Sequence, residues 1–378
     1  MCQGIELSAT CFSTRSGTYF DVTIVELFGH EQLRERLSAS IKAGRLPSSL
    51  LLQGPRGVGK QRLAISIAHE LLCTSEADAP CGKCPGCRYV SELTHPDLHW
   101  VFPRPRLKDS DPDLDQVRND YLEAIAERAA AGGLYPSPSG SEGIYVATIR
   151  YLVQRAVIAP AFSRRKVIIV GDAERMVPQE GSDMAANAFL KLLEEPPADT
   201  TIILTSSEPG ALLPTIRSRV VTVRVPRVSD NAVRAFVEDP VVRKALDKNG
   251  KGSVAERVRA AGGAPGTLLT GDAQARAIVN ARRMIDAATA GRGSAIHVTA
   301  MSQGVAGARG GFADTLEALV DLLGERVRDA LHRSDPDAAA SASKAVDSVL
   351  KALTQTETNV NPQLITSRLL RDLSATLK

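Results

Sequence analysis

A chain of 378 residues with 46 Lys and Arg against 43 Asp and Glu has a formal net charge of +3, too mild to demand an acidic partner such as nucleic acid and too mild to exclude one. Hydrophobic residues at 43% and charged residues at 24% exclude a disordered chain, and no apolar run approaches the ~20 residues that span a bilayer. The length suits two or three domains, and the N-terminus lacks the layout of a secretory signal, so a cytoplasmic protein is expected.

In chain order, residues 1–24 read as a polar, unstructured leader that holds Cys2 and Cys11. From 25 to 227 strands and helices alternate. Ser48–Gln53 (SSLLLQ) is a short apolar run ahead of a glycine loop, and Gln61–Leu72 follows with helical spacing of Leu63, Ile67 and Leu71. Arg165–Asp172 (RKVIIVGD) and Thr200–Thr205 (TTIILT) are further buried-strand candidates, with a helical Ala185–Glu195 between them. Such alternation predicts a mostly parallel sheet covered on both faces. Two segments interrupt it: the cysteine cluster at 73–87, and 104–142, whose Pro, Gly, Ser and Asp content predicts a partly mobile surface insertion without a site. After Arg227 the strands stop; 228–270 reads as a small helical lid, and 271–378 as a separate all-helical domain.

Three motifs carry chemistry. GPRGVGKQ, Gly54–Gln61, is a phosphate-loop pattern in which Gly54, Gly57, Gly59 and Lys60 would cradle phosphates at a helix N-terminus. The pattern wants a hydroxyl after the lysine to complete a Mg²⁺ shell, and Gln61 supplies an amide. The second half of such a site is an acidic strand end, which VIIVGDAERM offers only in part. Gly171 stands where the metal-holding acid belongs, and Asp172 is either the catalytic carboxylate or an ordinary turn residue. Cys73, Cys81, Cys84 and Cys87 form C-x7-C-x2-C-x2-C, four thiolates suited to a closed tetrahedral Zn²⁺ site. An iron–sulfur cluster and free thiols are the lesser alternatives. Ser218 and Arg219 precede an apolar strand, where the guanidinium is a plain surface arginine or one that reaches a neighbour's phosphate.

Together these stretches resemble the clamp-loader branch of the AAA+ ATPases, over roughly Phe28 to Leu377. The resemblance rests on FGHEQLRERLSASIKAGRLPSSLLLQGPRGVGK, the cysteine knuckle, HPDLHWV, AANAFLKLLEEPP, SSEPGALLPTIRSRV and NVNPQLITSRLLRDL, in that order. It implies an α/β P-loop module with a parallel sheet, a helical lid and an all-α collar, and a structural Zn²⁺. It also implies partners: tau/gamma and delta subunits and, through the assembled complex, a sliding clamp and primed DNA. Ser218 and Arg219 match the family's SRC motif, with Val220 in place of its cysteine, so Arg219 is expected to complete a neighbour's ATP site in trans. Gln61, Gly171 and a lid with Thr267 where motor subunits carry an arginine together imply a non-motor subunit. ATP or ADP on its own loop stays open, as do two other readings: an active ATPase of the tau/gamma type, and a nucleic-acid module built on the knuckle.

Overall fold

The computed structural model describes residues 24–75, 79–109, 111–138, 142–176, 183–248, 252–269, 272–291, 293–302, 309–356 and 361–377. Apart from Ile24, the expected leader lies outside these residues.

Helix α1 (Glu31–Lys42) precedes β1 (Ser49–Gln53), which runs through the glycine loop into α2 (Lys60–Leu71). The short α3 (Pro85–Ser91) then leads to β2 (Leu98–Val101), α4 (Leu114–Ala130), α5 (Val146–Val157), β3 (Lys166–Val170), α6 (Asp183–Glu194), β4 (Thr200–Ser206), α7 (Pro214–Arg217) and β5 (Val221–Arg224). The five strands pair in the order β2-β3-β4-β1-β5, every pair parallel. Val167 to Val170 and Ile202 to Leu204 have no solvent exposure, as a sheet packed on both faces requires. The carboxyl ends of β1, β3 and β4 lie side by side, since Leu51 pairs with Leu204 and Leu204 with Val170. That sheet end is where open α/β folds place their sites.

The segment 104–142, expected as a surface insertion, contributes instead to the core. An Asp113 capping box starts α4, and Val117, Tyr121 and Ala124, spaced along one helical face, are buried in the main apolar cluster. Tyr121 donates to the Phe102 carbonyl at 2.8 Å, and Arg104 holds Asp120 through two bonds of 2.9 and 3.1 Å. Arg128 stacks 3.2 Å from the Phe102 ring centroid and 3.8 Å from that of Tyr135. The polar, proline-rich flanks concealed this apolar stripe.

Beyond β5, α8 (Asp230–Glu238), α9 (Pro240–Lys248), α10 (Val254–Ala261) and a 3₁₀ turn (Pro265–Leu268) form a small unit. Its core of Val228, Val233, Val237, Val242 and Val258 also takes in Val25. Helices α11 (Asp272–Ala290), α12 (Gly293–Met301), α13 (Arg309–His332), α14 (Pro336–Thr356) and α15 (Pro362–Thr376) build the third unit around Leu316, Leu319, Leu323, Val349 and Leu370.

Candidate functional site

The glycine loop joins β1 to α2 with Gly57 at φ 77° and Gly59 at φ 95°, backbone angles that side chains rarely adopt. His30 donates from its ring to the Val58 carbonyl at 2.8 Å and pins the middle of the loop. The geometry is that of a phosphate loop, but its donors are turned inward. Lys60 Nζ reaches the carbonyls of Gly54 and Pro55 at 3.0 and 2.9 Å and Ser207 Oγ at 2.8 Å. An ammonium has three protons, so none is left for a phosphate. Burial holds the Lys60 pKa below its ordinary value, against the opposing pull of Asp172 and Glu174. From above, Gly266 of the lid turn donates to the Gly57 carbonyl at 2.8 Å.

Gln61 lies between the two halves of the site. Its Nε2 donates to Asp172 Oδ2 at 2.9 Å, and its Oε1 accepts from the Trp100 indole at 3.0 Å. Asp172 adopts a left-handed φ of 47°, and its N–H donates to Thr205 Oγ1 at 3.0 Å. Burial, then the nearby Glu174, pushes its carboxyl pKa up. A cavity of about 130 Å³ lined by Arg62, Tyr135, Pro136, Asp172, Phe236 and Pro265 borders the loop, and a larger one of about 1400 Å³ adjoins it along Pro55, Arg56, Tyr135, Pro136 and Thr267. In this arrangement Lys60 and Asp172, expected to hold a nucleotide, are both engaged within the chain, while Gly54, Gly57 and Gly59 form the turns of the loop. Trp100 and Tyr135 took no part in the expected site, and Tyr135 comes from the segment expected to carry none.

The four cysteines meet as expected. Their sulfurs lie within 4.8 Å of one another, with Cys73 to Cys84 at 3.8 Å and Cys81 to Cys87 at 3.9 Å. Four Zn–S bonds of ~2.3 Å in a tetrahedron put sulfurs about 3.8 Å apart, so the cluster fits a zinc ion with no open position. Backbone N–H groups of Ser75, Cys81, Cys84 and Cys87 point at the sulfurs from 3.3 to 3.5 Å, which favours thiolates. Beside the cluster, Asp97 accepts from the N–H groups of Ala161, Phe162 and Ser163, and Ser163 Oγ donates to the Leu72 carbonyl, fixing the knuckle to the sheet.

Arg219 follows α7 at the start of β5, the edge strand. Its guanidinium is half-buried and engaged within the chain: Nη2 meets Glu194 at 2.6 Å, while Nη1 donates to the Thr215 carbonyl at 2.9 Å and to Ser218 Oγ at 3.3 Å. Arg219 therefore stands far in sequence from the loop of its own chain. It occupies the open edge of the sheet, next to exposed Val221 and Leu213.

A family profile described as "DNA polymerase III, delta subunit" matches residues 29–229. The chain is 36% identical over 172 residues to the DNA polymerase III subunit delta' of Pseudomonas aeruginosa, covering 45% of this chain and 40% of that protein. It is 33% identical over 186 residues to the subunit delta' of Escherichia coli, covering 49% and 44%. It is also 34% identical over 202 residues to the DNA polymerase III subunit gamma/tau of Mycobacterium bovis, covering 53% of this chain and 28% of that protein. The chain thus spans less than half the length of each of these relatives. Identity alone does not separate the two kinds of subunit.

Proposed function

The chain belongs to the DNA polymerase III delta-subunit family, and from that premise we propose that it serves as the delta-prime-type, non-motor subunit of a bacterial clamp loader. In this reading it sits in a ring with tau/gamma and delta subunits in the cytoplasm, and supports ATP-dependent loading of a sliding clamp on primed DNA. The observation that carries the reading is an asymmetry. At the loop, Lys60 and Gln61 are buried and tied to the chain's own atoms; at the edge strand, Arg219 is held by Glu194, Thr215 and Ser218 but remains partly exposed, beside exposed Val221.

An arginine so placed would exchange Glu194 for the γ-phosphate of an adjoining subunit's ATP, stabilising charge that develops during its transfer. Ser218 would help to aim it, as it already does within the chain. The four cysteines would hold a structural Zn²⁺. The test is Arg219→Ala in a reconstituted loader. DNA-stimulated ATPase is expected to fall by ~10³ or more while the complex still assembles; unchanged turnover would refute the reading. The gamma/tau similarity favours a second reading, an ATPase in its own right, for which steady ATP turnover by the isolated chain would be the sign.

A further inference from the structure

We propose that Gln61 is a built-in occupant of the chain's own phosphate loop, and that Gln61 and Gly171 form a single interlocked unit. The first observation is steric. A Cβ added to Gly171 would lie 2.4, 2.5 and 2.7 Å from Oε1, Cδ and Nε2 of Gln61, closer than carbon packs against any of these atoms. Gly171 is not among the residues of positive φ, so its backbone does not demand glycine. The glutamine does.

The second observation is chemical. In an active loop the hydroxyl after the lysine and the strand-end acid share a divalent ion. Here the amide of Gln61 lies in the space a residue-171 side chain would take, and its N–H faces the Asp172 carboxylate at 2.9 Å. A neutral donor thus stands before the carboxylate where a cation would otherwise be drawn. The Trp100 indole fixes the other end of the amide at 3.0 Å, so the side chain cannot swing aside without leaving two buried polar groups unpaired. The two positions are therefore linked: Gln61 fills the space a side chain at 171 would take, and the glycine at 171 leaves that space open. The interlock holds whether or not Arg219 acts on a neighbour.

The test is a double-mutant cycle on the full chain, read by thermal unfolding, with a fluorescent ATP analogue titrated in the presence and absence of Mg²⁺. Gly171→Ala alone is expected to lower the melting temperature by roughly 5 °C, as overpacking does. In a Gln61→Ala background the same change is expected to cost at most about 2 °C, because the clashing atoms are gone. If Gly171→Ala alone fails to fold, a folded Gln61→Ala/Gly171→Ala chain supports the interlock equally well. Additive shifts, or a double variant that unfolds like the single one, would overturn the interlock. Saturable, Mg²⁺-dependent binding of the analogue by the parent chain would overturn the occupancy.

Discussion

Asp172 is a buried carboxyl at the end of β3, beside the glutamine of the loop. Its carboxyl is buried, accepts one bond from Gln61 and faces Glu174, with Lys60 as the strongest opposing charge; Arg175 and Arg56 act more weakly. The folded-state pKa lies above the ordinary 3.8. The folded chain then binds this proton more tightly than the unfolded chain, so the group favours folding at low pH and that contribution is lost as pH rises above about 4. Asp172→Asn is expected to melt higher than the parent at pH 7, with the gain shrinking as pH falls and the parent carboxyl takes up its proton. Paired melting curves across that range measure it. Half of this was legible in sequence: Gln61 and Gly171 both stood out as departures in one site, but Trp100, 39 positions from Gln61 in the chain, did not, and only the sheet brings it to the same amide.

Among the elements, strands were the most legible, because the unbroken apolar runs Val167–Val170 and Ile202–Leu204 leave few alternatives to a buried parallel strand. The helical pattern of α4 is legible in YLEAIAERAA, but its place in the core was hidden: its buried positions are only Val117, Tyr121 and Ala124 within 17 residues, between flanks rich in turn formers. The seven-residue α3 is too short to persist alone. Its N-cap is the sulfur of Cys84, which accepts from the Cys87 N–H at 3.3 Å, so an ion held by the four sulfurs would support the helix as well. Chelation of zinc, or Cys84→Ser, is expected to release about one zinc per chain and to raise amide exchange across 73–91. The amides of β1, β3 and β4 should stay protected, and mass-resolved hydrogen exchange reads both regions at once.

At the scale of the whole molecule, the loop acts as a joint. Arg56, at a variable loop position, meets Glu317 of α13 at 3.0 Å; Glu317 also approaches Arg175 at 3.7 Å, while Gly266 of the lid turn bonds to Gly57. One short loop thus touches the sheet, the lid and the helical domain. Glu317→Ala is expected to cost less than ~1 kcal/mol, since the Arg56 pair is partly exposed, yet to raise hydrogen exchange in residues 54–60. A loop whose exchange stays unchanged would place the restraint in the lid contact instead.

The interlock of Gln61 with Gly171 also has a historical side. A lineage that regained a side chain at 171 while Gln61 remained would meet a 2.4 Å clash. One that regained the hydroxyl first would strand the Trp100 and Asp172 groups now bonded to the amide. Each backward step is penalised unless the other comes with it, so descent through single substitutions runs in one direction only, as past the pawl of a ratchet.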